Sequence, residues 1–450
     1  MYVPDTIAAI ATPAGRGGIG VIRVSGPAAT ALAERIARRH AAGAWTSHHL
    51  YRARICAADG TGLDDGLAVL MRAPRSYTGE DVLELHCHGS PVALERILQA
   101  LFAHGARPAL AGEFTKRAFL NGKLDLTQAE AVMGLVGART ADAADTAATQ
   151  LFGGLSARLA GVRARLITAR AHVEARLDFG DEDLDLDDGA LDADLASAHR
   201  EVEALLATHR RGALLRQGLR IALSGRPNVG KSSLLNVLLG AERAIVTADP
   251  GTTRDVVEAE TELDGVPVVL CDTAGLRAAS DAAEQLGVAR AEAAAAAADL
   301  VLLVLDTAAP LAPQRALLAR GEALVVLNKI DLPSAWSADD EAAARAAHEC
   351  VRVSARSGAG VDALRQAILR RAGAQWADNL PPLTSTRQRD ALARVADALA
   401  AARAARAARL PPELVAVDLQ AALEHIGTVT GAVTNEDVLD AVFAEFCIGK

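Results

Sequence analysis

Gly225-Arg226-Pro227-Asn228-Val229-Gly230-Lys231-Ser232 reads G-x-x-x-x-G-K-S. The run before it, Leu219 to Leu223, is apolar and strand-like, and Ser233 onward (SLLNVLL) is helical in pattern. Strand, glycine-rich loop and helix in that order form a P-loop, whose backbone N–H groups cradle phosphates. In this reading Asn228, Val229, Gly230 and Ser233 line the phosphates. Lys231 reaches the β and γ oxygens, and Ser232 ligates Mg²⁺.

Working outward, Val268–Cys271 is a second apolar run and ends in Asp272-Thr273-Ala274-Gly275. An acid at the end of such a strand can hold the Mg²⁺ shell, and Gly275 lets the backbone meet a γ-phosphate. Val325–Leu327 leads into Asn328-Lys329-Ile330-Asp331. The Asp331 carboxylate can accept from guanine N1–H and the exocyclic amine, a pair that adenine lacks. Val353 leads into Ser354-Ala355-Arg356, whose backbone can reach guanine O6. Between the P-loop and DTAG lies Gly251-Thr252-Thr253-Arg254-Asp255, with Thr253 the candidate switch threonine and second Mg²⁺ ligand. Any one of these short matches is weak. Five in this order make a guanine-nucleotide site and a Ras-like parallel α/β domain the expectation.

Leu276 follows DTAG where Ras-like switches place a water-orienting Gln. An apolar side chain cannot do that, so hydrolysis must recruit a polar group. Arg277 and Glu284 are the nearest downstream candidates, and a solvated switch residue is the equal alternative for either.

The 450 residues exceed one core, and about half of them are apolar. Ala-rich, aromatic-poor composition favours helix. No apolar run reaches the length of a membrane span, and the start shows no signal-peptide pattern, so a cytoplasmic protein is expected. Five scattered cysteines without C-x-x-C fit a reducing compartment. His86-Cys87-His88 looks metal-like, but its alternation reads as a strand. The net charge of −9 gives no global nucleic-acid signature. The acidic run Asp178–Asp188 and the arginines Arg403, Arg406 and Arg409 read as solvated faces, the latter with a local phosphate-binding patch as the alternative.

Four segments emerge. Residues 1–118 mix short strands (Thr6–Ala11, Ile19–Val24, Leu67–Met71, Val82–His86) with one or two helices. Residues 119–215 read as long helices: Leu126–Gly137, a mostly unbroken stretch from Ala141 to Leu177, and Leu191–Arg211. Residues 216–375 alternate strand and helix, and residues 376–450 return to helix, with breaks at Pro381-Pro382 and Pro411-Pro412. The economical topology is a helical domain in two sequence segments with the nucleotide domain inserted.

Several stretches outside the nucleotide motifs resemble the bacterial tRNA modification GTPase family MnmE (TrmE). They are Asp5-Thr6-Ile7 with Ala11 to Gly18 (ATPAGRGG), Ile22 to Gly26 (IRVSG), Ser76 to Leu85 (SYTGEDVLEL), Gly112 to Thr115 (GEFT), Arg117 to Gln128 (RAFLNGKLDLTQ), and the terminal Phe446-Cys447-Ile448-Gly449-Lys450. The resemblance spans the chain. It implies an N-terminal α+β folate-binding-like domain that dimerises, a split helical domain and an inserted Ras-like P-loop GTPase domain.

The resemblance further implies action with an FAD-containing MnmG partner on carbon 5 of the wobble uridine of certain tRNAs. A tetrahydrofolate derivative (5-formyl or 5,10-methylene) supplies the one-carbon unit. Family folate contacts fall on Arg23, Glu84 and Lys123, with Lys450 near; alone, Glu84 would read as an edge-strand acid. Family members hydrolyse GTP to GDP with K⁺ supplying positive charge, which assigns K⁺ ligation to Asn228, Thr247, Asp249 and Thr252, the last three in the loop Thr247–Thr253 that closes over the ion. The water-orienting residue becomes Glu284, a catalytic candidate beside Lys231. Cys447 has two readings: a nucleophile or one-carbon handler on the tail, or a small buried hydrophobe. Departures from the family pattern are Ala111 for a common proline, Ala248-Asp249-Pro250 in a variable loop, and Ser90 where glycine is frequent. The alternative class is a GTP-dependent RNA or ribosome-assembly switch, for which an RNA-binding module such as a KH fold, or a second G domain, would be expected.

Overall fold

The structure is a computed structural model that describes residues 5–40, 43–178, 187–240, 257–272, 296–318, 323–373 and 380–450. The chain forms two compact units. One draws on residues 1–133, 151–184 and 405–450, the other on 134–150 and 185–404.

The first unit holds a seven-stranded sheet: β1 (Ile7–Ile10), β2 (Gly17–Ser25), β3 (Ala37–Arg39), β4 (Leu50–Cys56), β5 (Gly62–Met71), β6 (Val82–Gly89) and β7 (Arg107–Pro108), in the order β3-β4-β5-β6-β2-β1-β7. Neighbours are antiparallel except β1 and β7. The four expected strands are present, and β3, β4 and β7 were not foreseen, β3 and β7 being too short to carry a period. Alternation sends Ile22, Val24, Leu83, Leu85, Ala68 and Leu70 to one face, where the helices Ala29–Ile36 and Pro91–Ala103 cover them. Ser90 caps the second helix by accepting from the Ala93 N–H, so the departure from glycine supplies a cap. The strand β1 serves both faces, with Ala8 in this core and Ile7 and Ala9 packed on Phe114.

Cys87 lies buried on β6, on the face opposite His86 and His88, and burial pushes its thiol up to about 12. No three metal-ligating side chains converge among the described residues.

Two helical expectations need correction. The stretch from Ala141 to Leu177 is two helices, Ala141–Leu151 and Gly154–Asp178, broken at Phe152-Gly153, where Gly153 takes φ +85°. The stretch from Leu191 to Arg211 is Asp188–Ala207 and His209–Gln217. At that break the Thr208 hydroxyl donates to Leu205 O and accepts from the Leu383 N–H, tying it to a segment 175 positions away. Of the acidic run, residues 179–186 lie outside the described residues, and Asp187 caps the helix that follows. Helices Thr386–Ala407, Pro412–Thr430 and Glu436–Ala444 complete the chain. No described helix is long and apolar enough to cross a membrane.

The second unit holds a six-stranded sheet: β8 (Leu219–Ser224), β9 (Val257–Leu263), β10 (Val266–Asp272), β11 (Leu300–Asp306), β12 (Leu324–Asn328) and β13 (Cys350–Arg352), in the order β13-β12-β11-β8-β10-β9. All pairs are parallel except β9–β10. Leu302, Val304, Leu324 and Val326 enter one core, while Leu303, Leu305, Val325 and Leu327 enter the other. Burial on both faces is why these strands are continuous apolar runs. The chain leaves β8 toward β10 on one side and reaches β11 on the other, so the loop after β8 sits at the switch point where open α/β sheets bind ligands.

Candidate functional site

The loop after β8 has the backbone that its glycines require. Gly225 takes φ +146°, and a Cβ there would lie 2.4 Å from Val304 O; Gly230 takes φ +99°, with its Cβ position 2.3 Å from Asn328 Nδ2. Asn228 also lies in the left-handed region, at φ +63°. Lys231 opens the helix Lys231–Gly240, is buried, and donates to Gly225 O and Arg226 O at 2.8 Å each. Its ammonium is thus held above the loop concavity, where it can exchange carbonyls for phosphate oxygens. Ser232 and Ser233 are exposed at the first turn of that helix, the end favourable to anions.

Asn328 joins three segments. Its Nδ2 donates to Val229 O of the P-loop at 2.8 Å, and its Oδ1 accepts from the Ala355 N–H at 3.0 Å. The residue is 2 % exposed, so neither bond is replaceable by water. Lys329, at φ +67°, donates to Asn228 O at 2.9 Å and to Asp306 Oδ2 at 2.6 Å. Asp331 accepts from the Ser354 hydroxyl at 2.6 Å, and this bond holds its carboxyl below the usual range. An ionised Asp331 has a free oxygen for a donor pair on a base. Ala355 and Arg356 follow on the same loop, with Ala355 nearly buried and Arg356 exposed. The tertiary structure therefore brings together Asn228, Val229, Gly230, Lys231, Asn328, Lys329, Asp331, Ser354 and Ala355.

Asp272 closes β10 beside Leu223 of β8. Thr273, Ala274 and Gly275, the loop of Thr247, Asp249, Thr252 and Thr253, and Leu276, Arg277 and Glu284 lie outside the described residues. Asp306 and Thr307 were missed from sequence. Asp306 carries Lys329, and the Thr307 hydroxyl donates to Asn328 O at 2.9 Å. The signal was available: Asp306 ends an apolar parallel strand as Asp272 and Asn328 do.

A second group gathers on the first sheet. Arg23 and Glu84 are register partners across β2 and β6. Since β6 lies between β5 and β2, Glu84 is not an edge-strand acid. Arg23 Nε donates to Glu84 Oε1 at 2.8 Å, and its guanidinium carbon sits 5.3 Å from the Tyr77 ring centre and 5.8 Å from that of Phe114. The C-terminal tail arrives here: Arg23 Nη1 donates to Gly449 O at 3.4 Å, Ala111 and Ile448 form an isolated bridge, and the Gly112 N–H donates to Cys447 O at 3.4 Å. The Lys450 N–H closes a turn onto Cys447 O. Cys447 is exposed, which removes the buried-hydrophobe reading. Lys123 forms no hydrogen bond or ion pair with Arg23 or Glu84 among the described residues; its Nζ donates to Pro74 O at 3.1 Å, on the loop that carries Tyr77.

Beneath lies an ionic cluster that the sequence did not disclose. Arg117, 1 % exposed, donates to Asp5 Oδ1 at 2.6 Å, Glu113 Oε1 at 2.9 Å and Glu80 Oε2 at 3.1 Å. Arg107 shares Asp5 and Glu113. Burial would raise the Glu113 and Asp5 carboxyls, but hydrogen bonds from the two arginines, and from the Leu110 N–H to Glu113, hold both below their ordinary values. The cluster braces the helix Glu113–Leu120, and with it Phe114, against β1 and the Tyr77 loop.

Two family models match this chain. "MnmE helical domain" matches residues 126–447, and "GTP-binding protein TrmE N-terminus" matches residues 6–123. The chain is 48% identical to the tRNA modification GTPase MnmE of Synechococcus sp. (strain CC9605) over 454 residues, 99% of each chain. It is 47% identical to that of Symbiobacterium thermophilum over 455 residues, again 99% of each. With the protein of the same description from Roseiflexus sp. (strain RS-1) it shares 45% identity over 463 residues, the full length of both.

Proposed function

The chain belongs to the tRNA modification GTPase MnmE family, and from that premise we propose how it works. It is a GTP-hydrolysing enzyme of tRNA modification. Hydrolysis is K⁺-activated, and with an FAD-containing MnmG-type partner the protein adds an aminomethyl or carboxymethylaminomethyl group to carbon 5 of the wobble uridine. A tetrahydrofolate derivative gives the one-carbon unit. Residues 1–118 form the folate-binding-like domain through which two copies dimerise, residues 119–215 and 376–450 the helical domain, and residues 216–375 the G domain.

The observation that carries this reading is Asn328, which fastens the P-loop to the base-reading loop in one buried pair of bonds. Phosphates bind over Gly230, Lys231, Ser232 and Ser233. Lys231 exchanges its two loop carbonyls for phosphate oxygens, and Asp331 reads the guanine edge. Ser232, Thr253 and Asp272 fit a Mg²⁺ shell by their oxygen donors. Asn228, with Thr247, Asp249 and Thr252, offers the oxygen-rich set a K⁺ ion takes, and the cation supplies charge stabilisation at the transferring phosphoryl. Glu284 orients the attacking water.

For folate, the half-buried Arg23–Glu84 pair supports the reading. Glu84 keeps a second oxygen for a pterin N–H edge, shared at 3.4 Å with His86 Nε2, and the Arg23 guanidinium lies over the Tyr77 and Phe114 rings. Lys123 and Lys450 supply cations for a glutamate tail. Cys447, exposed on the tail, is within the same region and is proposed as a participant in the modification chemistry.

GTP turnover by the purified protein in KCl and in NaCl at equal ionic strength tests the core of this proposal. Faster turnover in KCl that is lost in Asn228→Ala is expected. Equal rates in the two salts would sink the K⁺ mechanism.

A further inference from the structure

Two arginines on the first sheet have no part in the reading above. Arg38 in β3 is the register partner of Arg54 in β4, so both side chains leave the sheet on one face, away from the buried Ala37, Ala53 and Ile55. β3 is the last strand on this edge. The two guanidinium groups converge beside the turn Ala57 to Thr61. A Cβ at Gly60 would lie 3.3 Å from Arg38 Nη2, and one at Gly62 would lie 2.6 Å from Arg54 Nε, so glycine at both positions makes the room they occupy. Neither arginine forms an ion pair among the described residues. Asp65, the β5 register partner of Arg54, is taken by Arg52 at 2.8 Å and by His40 at 3.4 Å. Arg52 continues the cationic row about 7 Å along the strand.

Like charges directly opposite each other on a sheet repel. An anion lying between them removes that repulsion. Guanidinium forks match phosphate oxygens in shape as well as in charge. The chain as a whole carries −9, so a polyanion can approach only where cations are gathered. We propose that the β3–β4 edge is a docking surface for the phosphate backbone of tRNA, with Arg38 and Arg54 as its anchor pair. This rests on the tRNA-modifying reading of the chain. Contacts of this kind orient the RNA without reading its bases.

The test is the affinity of the full-length protein for an unmodified tRNA transcript, measured across a salt series. The variants are Arg38→Gln/Arg54→Gln and, as a charge-matched control, Arg163→Gln/Arg200→Gln, two exposed arginines of the helices Gly154–Asp178 and Asp188–Ala207. Removing two phosphate contacts should weaken binding at least tenfold and flatten the dependence of log K on log salt by about 1.4 to 1.8. GTP turnover and oligomeric state should stay unchanged, which shows the variant is folded. The inference is overturned if the variant binds like the parent, if the control loses as much, if affinity drops with no change in salt slope, or if the variant instead loses a protein–protein contact. Failure of the parent protein itself to bind tRNA at low salt would overturn the tRNA reading from which the inference starts, an outcome distinct from all the others.

Discussion

Arg23 and Glu84 meet because antiparallel β2 and β6 place them directly opposite each other, and their side chains close a 2.8 Å ion pair on which the carbonyl of Gly449 also converges. If this pair is the folate contact, Glu84→Gln keeps the shape but removes the charge. The bond to a charged group is worth about 1.5–3 kcal/mol, so affinity for 5-formyltetrahydrofolate should fall at least tenfold, read by titration calorimetry. Undiminished affinity in Glu84→Gln would remove the pair from the folate site.

Asn328→Ala leaves the Val229 carbonyl and the Ala355 N–H without their buried partner. Each orphaned group costs about 1–3 kcal/mol. GTP and GDP affinity should fall about a hundredfold, equally for both, since no γ-phosphate contact is touched. A loss confined to GTP would contradict the bracing role given to Asn328.

Gly449 takes φ +98°, and a Cβ there would lie 2.3 Å from Ile10 O. Gly449→Ala should therefore lift the tail from the first sheet. Carboxypeptidase digestion should release the terminal residues faster than in the parent, with GTP turnover unaffected. Identical digestion would show that the tail does not depend on this fit.

Acid should act on the cluster of Asp5, Glu113, Arg107 and Arg117. Asp5 and Glu113 have folded values below their unfolded ones, so the stability they contribute is present above the unfolded values near 4 and is lost as pH falls through the depressed folded values. Glu113→Gln should be much less stable than the parent at neutral pH, and the gap in urea midpoint should close progressively below about pH 4. A gap constant from pH 7 to 3 would mean that Glu113 acts by packing alone. Arg117→Met, which leaves buried carboxylates uncompensated, should cost about 3–5 kcal/mol.

The nucleotide site was legible because each of its loops is a run of consecutive residues after an apolar strand. The structure seats the P-loop, Asn328, Asp331 and Ser354 at the carboxyl ends of parallel strands, as that pattern requires. Asp306 ends an apolar strand as they do, but it escaped notice because a lone acid after LVLLVL carries no motif beyond that position. The helix breaks at Gly153 and Thr208 escaped for another reason. Alanine-rich sequence propagates helix on propensity, and the Thr208 bend is stabilised by the Leu383 N–H, which no local window contains.

By itself the sequence determined the strand, loop and helix of the G-x-x-x-x-G-K-S motif, the parallel sheet and the family. These depend on backbone conformations and side chains only a few residues apart. What the tertiary structure alone decided is which distant residues meet: Arg23 with Glu84 and with Gly449, 426 positions away, Arg117 with Asp5, and Arg38 with Arg54. Those meetings follow from strand register and from burial. A shift of one residue along a strand turns every side chain to the other face, and no pattern confined to one segment fixes that.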